Sequence, residues 1–576
     1  MERINGGVAL ARAIHALGVR EVFTLHGGHL DAFLVACADA GVRLTDTRHE
    51  ATAGHAAAAY ARATGRIGVC VITAGPGFSN GLTAMVDAWL DAMPVLFIAG
   101  SPPLREVATN PLQGGFDQVA MAAPVTKWSH RITNVERVPD LVDKAVRIAL
   151  SGRPGPVFLE VPIDIMFGPM DAADLVLPHA PALVTRPAPA PEAVAKILDL
   201  LAEAQRPAII VGGGAVSQRC AALLPEFADL ARAPVLASSK GNGVMPHEHP
   251  LNGGSAGTLG AAARARQPAD LVILLGARAG LFLGGRGGAV IPDGARLVQV
   301  DIDGGEIGRL RTPDVAVTAD IGETLAALVA AARGRVFPDR PVWAGLLAQL
   351  RNAGAMAFKD APAESRPGVI HPFHAARAVA EALSPDTAIA YDGGEAPAWF
   401  GLFGRSPGPG LYIGNGYLGT LGVGQGYAIG LARARPEAPV ALIMGDGAAG
   451  FHIAEFDTMA RHRLPILTIV FNNAAWGMSL HGQELVFGKQ NLAAVKLAAS
   501  AYDQVARGFG CAGHQITRVE DIGPAVRAAQ ASGQPTCLNI LTDAEIAHPV
   551  TAMMVGRLDA DDEIAIPYYE NIPLKR

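Results

Sequence analysis

Val440-Ala-Leu-Ile-Met-Gly-Asp-Gly447 and, one helical segment later, Ile466-Leu-Thr-Ile-Val-Phe-Asn-Asn473 decide the fold. Each is an apolar strand that stops abruptly at a polar residue. The stretch between them, Phe451 to His462, has a helical pattern. Strand, helix, strand in this order predicts two neighbouring parallel strands, with Asp446 and Asn473 at their carboxyl ends, where open α/β sheets bind ligands. Two hard oxygen ligands, with Gly445, Gly447 and Ala448 beside them and a helix N-terminus close by, suit a Mg²⁺ ion bridging to a diphosphate. The Asp446 and Asn473 side chains supply two ligands, and the loop carbonyl at Ala475 a third. Taken singly, Gly-Asp-Gly reads as a turn and Asn-Asn as a helix cap. Their spacing, each after an apolar strand, favours the metal–diphosphate reading.

The same rhythm runs outward in both directions. Strand-like runs at Val22–Leu25, Gly68–Ile72, Val95–Ile98 and Val157–Val161 alternate with helical patterns through residues 1–180. A Pro-rich stretch, Ala180 to Pro191, reads as a linker. Residues 191–340 repeat the pattern at Ala208–Gly214, Leu271–Gly276 and Leu297–Ile302. The fold class is therefore α/β, three domains, each a mainly parallel sheet flanked by helices. The third domain is placed at 365–545, and residues 546–576 form a tail able to fold across a site. The Gly212–Gly214 run does not complete GxGxxG, so it reads as a tight strand-to-helix turn, and the central domain shows no evident FAD or NAD site.

Composition narrows the function classes. Half of the 576 residues are hydrophobic, enough for large cores, and the net charge of −6 favours neither nucleic acid nor an anionic membrane. The five cysteines are scattered, without a CxxC pair, which fits buried thiols in a reducing compartment. No apolar run approaches the ~20 residues of a membrane helix, and no signal-peptide core is present. The expected location is cytoplasmic.

A second chemical motif is Thr47-Arg-His-Glu-Ala-Thr-Ala-Gly-His-Ala-Ala-Ala-Ala-Tyr-Ala-Arg62. Glu50 opens an Ala-rich helix. It is read either as a first-turn residue stabilised by the helix dipole or as a carboxylate placed to exchange a proton with a heteroaromatic nitrogen.

With these motifs in view, the chain resembles the thiamine-diphosphate (ThDP) enzymes of the acetolactate synthase and pyruvate decarboxylase superfamily. It carries the GDG…NN motif, Glu50 in His49-Glu50-Ala51, and the loop Ala74-Gly-Pro-Gly-Phe-Ser-Asn-Gly81. Within that superfamily it looks most like benzaldehyde lyase, on Leu25-His-Gly-Gly-His-Leu-Asp31, Asp46-Thr-Arg-His-Glu50, Leu112 to Trp128, and Gly416-Tyr-Leu-Gly419. The resemblance implies ThDP and Mg²⁺ as cofactors. It implies that Glu50 binds the pyrimidine from a neighbouring subunit and drives deprotonation of thiazolium C2. It places Leu421 under a bent cofactor, the Gly419 carbonyl against the 4′-amino group, and Gly393, Gly394 and Glu395 near the diphosphate through backbone N–H groups. A homodimer is then required, and a homotetramer expected. His29 and Gln113 become the substrate-facing candidates, with His26 behind them and Ser79 and Asn80 shaping the pyrimidine loop.

Several stretches depart from the benzaldehyde lyase pattern. Ile163, Ala396 and Ala398 lack the aromatic rings of an aryl pocket, and Asn415 replaces a polar aromatic. Met478 and Gly482 are expected to face the site, Gly482 opening room for a large group. The implied activity is a ThDP-dependent C–C lyase or carboligase for acyloins and aldehydes. A 2-hydroxyacyl-CoA lyase and an acetolactate-type 2-oxo acid decarboxylase or carboligase are the alternatives. The expected partners are small molecules, an aldehyde, acyloin or acyl-CoA, with no nucleic acid and no membrane. A non-catalytic ThDP-binding scaffold would lack Glu50 or the metal ligands, and both are present.

Overall fold

The computed structural model describes residues 2–106, 109, 112–179, 184–285, 288–555, 557–558 and 564–565. Three six-stranded sheets organise the chain, and every strand pairing within them is parallel. The first has the order Arg43–Asp46, Glu21–Thr24, Gly68–Ile72, Val95–Ser101, Val157–Pro162, Ser129–Arg131. The second runs Asn252–Ser255, Val235–Ala237, Pro207–Val211, Leu271–Leu275, Arg296–Asp301, Val315–Thr318. The third runs Tyr412–Gly414, Ala388–Asp392, Val440–Gly445, Ile466–Asn472, Thr536–Leu541, Ala512–Ile516. Strands of Val, Ile and Leu buried on both faces form such sheets because helices cover each side.

The order in which successive strands are added reverses in the third sheet between Ala388–Asp392 and Val440–Gly445. Loops leaving those two strands part in opposite directions and open a crevice there. In the central sheet the same reversal falls between Pro207–Val211 and Leu271–Leu275.

The first and third domains share one apolar core, running from Phe23, Phe78 and Phe97 to Tyr427, Leu442 and Val470. Its seam is the contact of the Ala-rich helix Glu50–Thr64 with the helix Val423–Ala434. Glycines on the second helix allow near-backbone contact. A Cβ on Gly430 would lie 2.2 Å from the Ala56 carbonyl oxygen, and one on Gly426 2.9 Å from that of Thr52. A buried polar group ties the seam: the Tyr427 hydroxyl donates to Asp87 Oδ2 at 2.5 Å, and His55 Nδ1 lies 3.3 Å from the same oxygen.

Two local expectations change. The segment Phe451–His462 is a helix only over Glu455–Arg461. Its first residues turn instead, because His452 Nδ1 donates to the Gly422 carbonyl at 2.7 Å and draws that stretch out of helical register. Pro191 begins the helix Pro191–Glu203, at the first-turn position where a missing N–H costs nothing; residues 180–183 of the expected linker lie outside the described residues. Part of the tail is ordered against the third domain, where the helix Pro549–Val555 packs on Gly477–Phe487 and Glu395–Phe400. All five cysteines are buried and free. Among the described residues no helix is long and apolar enough to cross a membrane.

Candidate active site

Gly445 pairs with Phe471 in the ladder, so Asp446 and Asn473 leave neighbouring strands side by side. One backbone group joins them. The Ala475 N–H donates to Asp446 Oδ2 at 3.2 Å and to Asn473 Oδ1 at 3.1 Å. Ala474 turns with φ +54° to bring that N–H round. Tyr502 fixes the other side, its hydroxyl donating to the Asp446 carbonyl at 2.8 Å. The neighbouring Asn472 is structural: its amide donates to the Ser500 carbonyl at 2.8 Å and to Asn539 Oδ1 at 3.0 Å.

Asp446 is 2% exposed, and no described Lys, Arg or His pairs with it. Burial pushes its carboxyl up to about 6, against the pull of the Gly447 and Ala475 N–H groups. A buried carboxylate without a cationic side chain is the environment a bound metal ion completes. Among the described residues no three His, Cys, Asp or Glu side chains gather into a metal cluster. One carboxylate, one amide and the Ala475 loop are what this chain offers, a hard-oxygen set that fits Mg²⁺.

Across the switch point, Gly393 (φ +109°) stands against Gly445, a Cβ there falling 3.4 Å from the Gly445 nitrogen and 3.7 Å from Ala448 Cβ. Met478 covers Gly394, whose added Cβ would be 3.0 Å from Met478 Cβ. The bare backbone leaves the cradle that a diphosphate needs. Two of these residues also have partners within the protein. The Gly393 N–H is already donated to Asn415 Oδ1 at 3.1 Å. The Glu395 carboxylate belongs to a buried polar cluster that holds the tail: His481 Nδ1 at 2.9 Å, the His548 N–H at 3.2 Å, and the Thr551 hydroxyl.

Asn415 and Asp392 were missed as organising residues. Asp392 Oδ2 accepts the N–H groups of Gly422 at 2.9 Å and Gly424 at 2.8 Å. Asn415 donates to Asp392 Oδ1 at 3.2 Å and to the Thr420 carbonyl at 2.7 Å. Together they fold the loop that carries Gly419 and Leu421, with Leu421 half-buried against the shared core. Asn415 is therefore a bracing residue rather than an opening in the pocket wall. The available signal was Asp392 itself, a carboxylate closing the apolar strand Ala388-Ile-Ala-Tyr391 just before Gly-Gly.

The second half of the site lies at the carboxyl ends of the first sheet. Glu50 opens its helix at 5% exposure and accepts from Asn80 Nδ2 at 3.0 Å. His49 caps that helix, its Nδ1 accepting from the Ala51 N–H at 3.1 Å. The loop Thr73–Gly77 gathers the other candidates. A Cβ on Gly77 would sit 3.6 Å from Glu50 Oε1, and one on Gly75 2.8 Å from Gln113 Cα. A Cβ on Gly100 would meet His29 Cβ at 2.6 Å and the Ala74 nitrogen at 3.5 Å. Glu50, Gln113 and His29 thus border one loop. Burial lowers the pKa of His29, which favours a neutral imidazole.

Gln118, not anticipated from sequence, locks this loop in place. Its Oε1 accepts from the Gly75 N–H at 3.0 Å and its Nε2 donates to the Gly100 carbonyl at 3.0 Å. Gln113 has φ +54°. His26 stands apart, exposed, 2.8 Å from Asp31.

The two halves also meet within the chain. Both oxygens of the buried Glu455 lie 3.1 Å from the Arg48 nitrogen, and the His49 and His452 rings are 4.7 Å apart. Among the described contacts, none joins Glu50 itself to Leu421, Asp446 or Asn473.

A separate cavity of about 810 Å³ opens at the switch point of the central sheet. Gly213, Gly276, Arg62, Asp91, Lys240 and Tyr417 are among its walls. The Ala215 N–H donates to the Gly212 carbonyl at 3.1 Å, so the glycine run is the tight turn its sequence indicates.

Sheets of this topology, with a glycine cradle at the switch point, suit an enzyme that holds a diphosphate-bearing cofactor there. The N-terminal TPP binding domain of thiamine pyrophosphate enzymes matches residues 4–121, their central domain residues 194–328, and their C-terminal TPP binding domain residues 392–540. The chain is 32% identical to a probable acetolactate synthase of Mycobacterium bovis, covering 95% of this chain and 97% of that one. It is 31% identical to 2-hydroxyacyl-CoA lyase 2 of Danio rerio, over 93% of this chain and 91% of the relative. It is 32% identical to the acetolactate synthase large subunit of Parasynechococcus marenigrum, over 98% and 93%. The chain belongs to the thiamine pyrophosphate enzyme family.

Proposed function

We propose that this enzyme uses ThDP and Mg²⁺ to break or form the C–C bond next to the carbonyl of 2-hydroxy ketones, yielding or consuming aldehydes. The observation that carries the reading is His29, a histidine favoured neutral by burial and set beside the same loop as Glu50. When bound, ThDP supplies a carbon acid whose conjugate base adds to carbonyls and stores an electron pair. Asp446 and Asn473 would hold the metal, and the Gly393–Gly394 and Gly445–Ala448 backbones would face the diphosphate. Glu50 would exchange a proton with the pyrimidine nitrogen. His29 would take the substrate hydroxyl proton as the C–C bond breaks and return it in the ligation direction, with Gln113 hydrogen-bonding the substrate oxygen.

The family resemblance supports a site completed by a second copy, Glu50 of one subunit facing Leu421 and Asp446 of another, hence a homodimer and, by pairing of dimers, a tetramer.

The substrate reading is open toward large acyl groups. The relatives named 2-hydroxyacyl-CoA lyase support a 2-hydroxyacyl-CoA substrate, cleaved through the same steps. The acetolactate synthase relatives support a 2-oxo acid donor, for which a hydroxyl-directed His29 has less use. Benzaldehyde-lyase-type cleavage of aryl acyloins is the third possibility, against the aliphatic Ile163, Ala396 and Ala398. A panel of aryl and aliphatic acyloins, 2-hydroxyacyl-CoAs and 2-oxo acids, read by mass spectrometry with ThDP and Mg²⁺ present, tests this. Turnover confined to 2-oxo acids overturns the lyase reading.

A further inference from the structure

All three domains send a residue to one point beneath the cofactor loop. Asp91 ends the helix Pro76–Leu90 of the first domain, and its side chain is fully buried. Lys240 follows the central-domain strand Val235–Ala237, and its ammonium pairs with the Asp91 carboxylate. The third member is the turn 416–419, just after the strand Tyr412–Gly414. The Tyr417 N–H donates to Asp91 Oδ1 at 3.2 Å. The turn rests directly on the carboxylate, for a Cβ on Gly416 would lie 1.8 Å from Asp91 Oδ2. Gly419, at φ +67°, donates its N–H to the Gly416 carbonyl at 3.1 Å, so the Asp91 anchor is one hydrogen bond away from the tip of the turn.

The two ends of the loop are held differently. Residues 420–424 are tied within their own domain, by Asn415 and Asp392. The 416–417 end takes its described side-chain bond from Asp91, a residue of another domain. Lys240 also lies 5.3 Å from the Tyr417 ring centre and Arg278 4.8 Å, so two cations flank the same tyrosine. Removing either partner of an ion pair buried this deeply leaves the other charge unpaired, which is costly.

We propose that Asp91, held in place by its ion pair with Lys240, is a positioning residue for the loop Gly416–Leu421. It sets the height of Gly419 and Leu421, and through them the affinity for ThDP. The proposal rests on the cofactor site and not on the substrate. If no 2-hydroxy carbonyl compound is turned over, the substrate reading falls and the measurement below still decides this one.

The test titrates full-length apoprotein with ThDP at saturating Mg²⁺ by calorimetry, alongside the melting temperature of each apoprotein. Asp91→Ala alone strands the Lys240 ammonium and is prone to misfold. The double variant Asp91→Ala/Lys240→Met removes the acceptor and the orphaned charge together. It should melt close to wild type yet bind ThDP roughly tenfold more weakly, the scale of a hydrogen bond to a charged acceptor. Asp91→Asn/Lys240→Met restores an uncharged acceptor for the Tyr417 N–H and should recover affinity to within about twofold of wild type. Wild-type affinity in the alanine double variant would overturn the proposal. So would affinities that merely follow the apoprotein melting temperatures.

Discussion

Asn80 donates to Glu50 Oε2 at 3.0 Å and so fixes the rotation of a carboxylate that begins its helix almost fully buried. The other oxygen, Oε1, lies beside Gly77, where a side chain would stand 3.6 Å away. One oxygen is held by the protein, and the other borders the loop shared with Gln113 and His29.

Glu50→Gln keeps the shape and the bond from Asn80 but removes the proton acceptor. Turnover should fall by about 10²–10⁴-fold. Circular dichroism and the melting temperature should stay at wild type. Full activity in this variant would remove Glu50 from the chemistry.

Asp446→Asn should abolish the stabilisation that Mg²⁺ and ThDP give in thermal unfolding. The apoprotein should melt no lower than wild type, because the variant removes a buried charge that has no cationic side chain beside it. Chelation of the metal in the wild-type enzyme should give the same loss of ThDP stabilisation.

His29→Ala should lower the rate of C–C cleavage by about 10²-fold or more while leaving ThDP affinity within about twofold. In the wild-type enzyme, burial holds the His29 pKa below the ordinary histidine value. The base form therefore persists as the pH falls, and the acid limb of kcat/KM should lie below about pH 6.5. A parallel loss of cofactor affinity would instead place His29 in the cofactor site.

Gln118→Ala should cost about 1–3 kcal/mol of stability, since it leaves the buried Gly75 N–H and Gly100 carbonyl without their partner. It should also raise KM, because the loop that positions Gln113 loosens. Chemical denaturation and steady-state kinetics read the two effects.

His481 predicts a pH dependence of stability. Its Nδ1 faces the Glu395 carboxylate and its Nε2 the Ala544 carbonyl, at 2.9 and 2.8 Å. Both nitrogens must donate, so the ring is an imidazolium. Burial opposes that charge most, but Glu395, the Ala544 carbonyl and Glu484 together outweigh it and the pKa is raised. A raised folded value makes the contribution complete below the unfolded pKa of about 6.5, and lost as pH rises through the folded one. Melting temperatures measured upward from pH 6 should fall more steeply for wild type than for His481→Gln. Equal slopes would count against the ion pair.

The strand–helix rhythm made the three parallel sheets legible, and several predicted strands match to within a residue, such as Gly68–Ile72 and Leu271–Leu275. A buried parallel strand must be a short apolar run, and its carboxyl end must be where polarity resumes. That is why Asp446 and Asn473 could be found without coordinates. Asp392, Asn415 and Gln118 were harder. Each is a single polar residue whose role depends on which backbone N–H or carbonyl comes within about 3 Å, and the partners are up to 43 residues away along the chain. Glu395 has a side-chain role that its position after Gly-Gly does not announce for the same reason: its carboxylate reaches the tail at His548 and Thr551.

By itself, then, the sequence determined the elements and the polar residues at their ends, because local periodicity and residue chemistry are encoded over a few neighbouring positions. Only the tertiary structure decided which side chains brace the site and which merely adjoin it. Hydrogen bonds form between groups that folding brings together, and Asp91, Lys240 and Tyr417, from three different domains, share no local pattern that would announce their meeting.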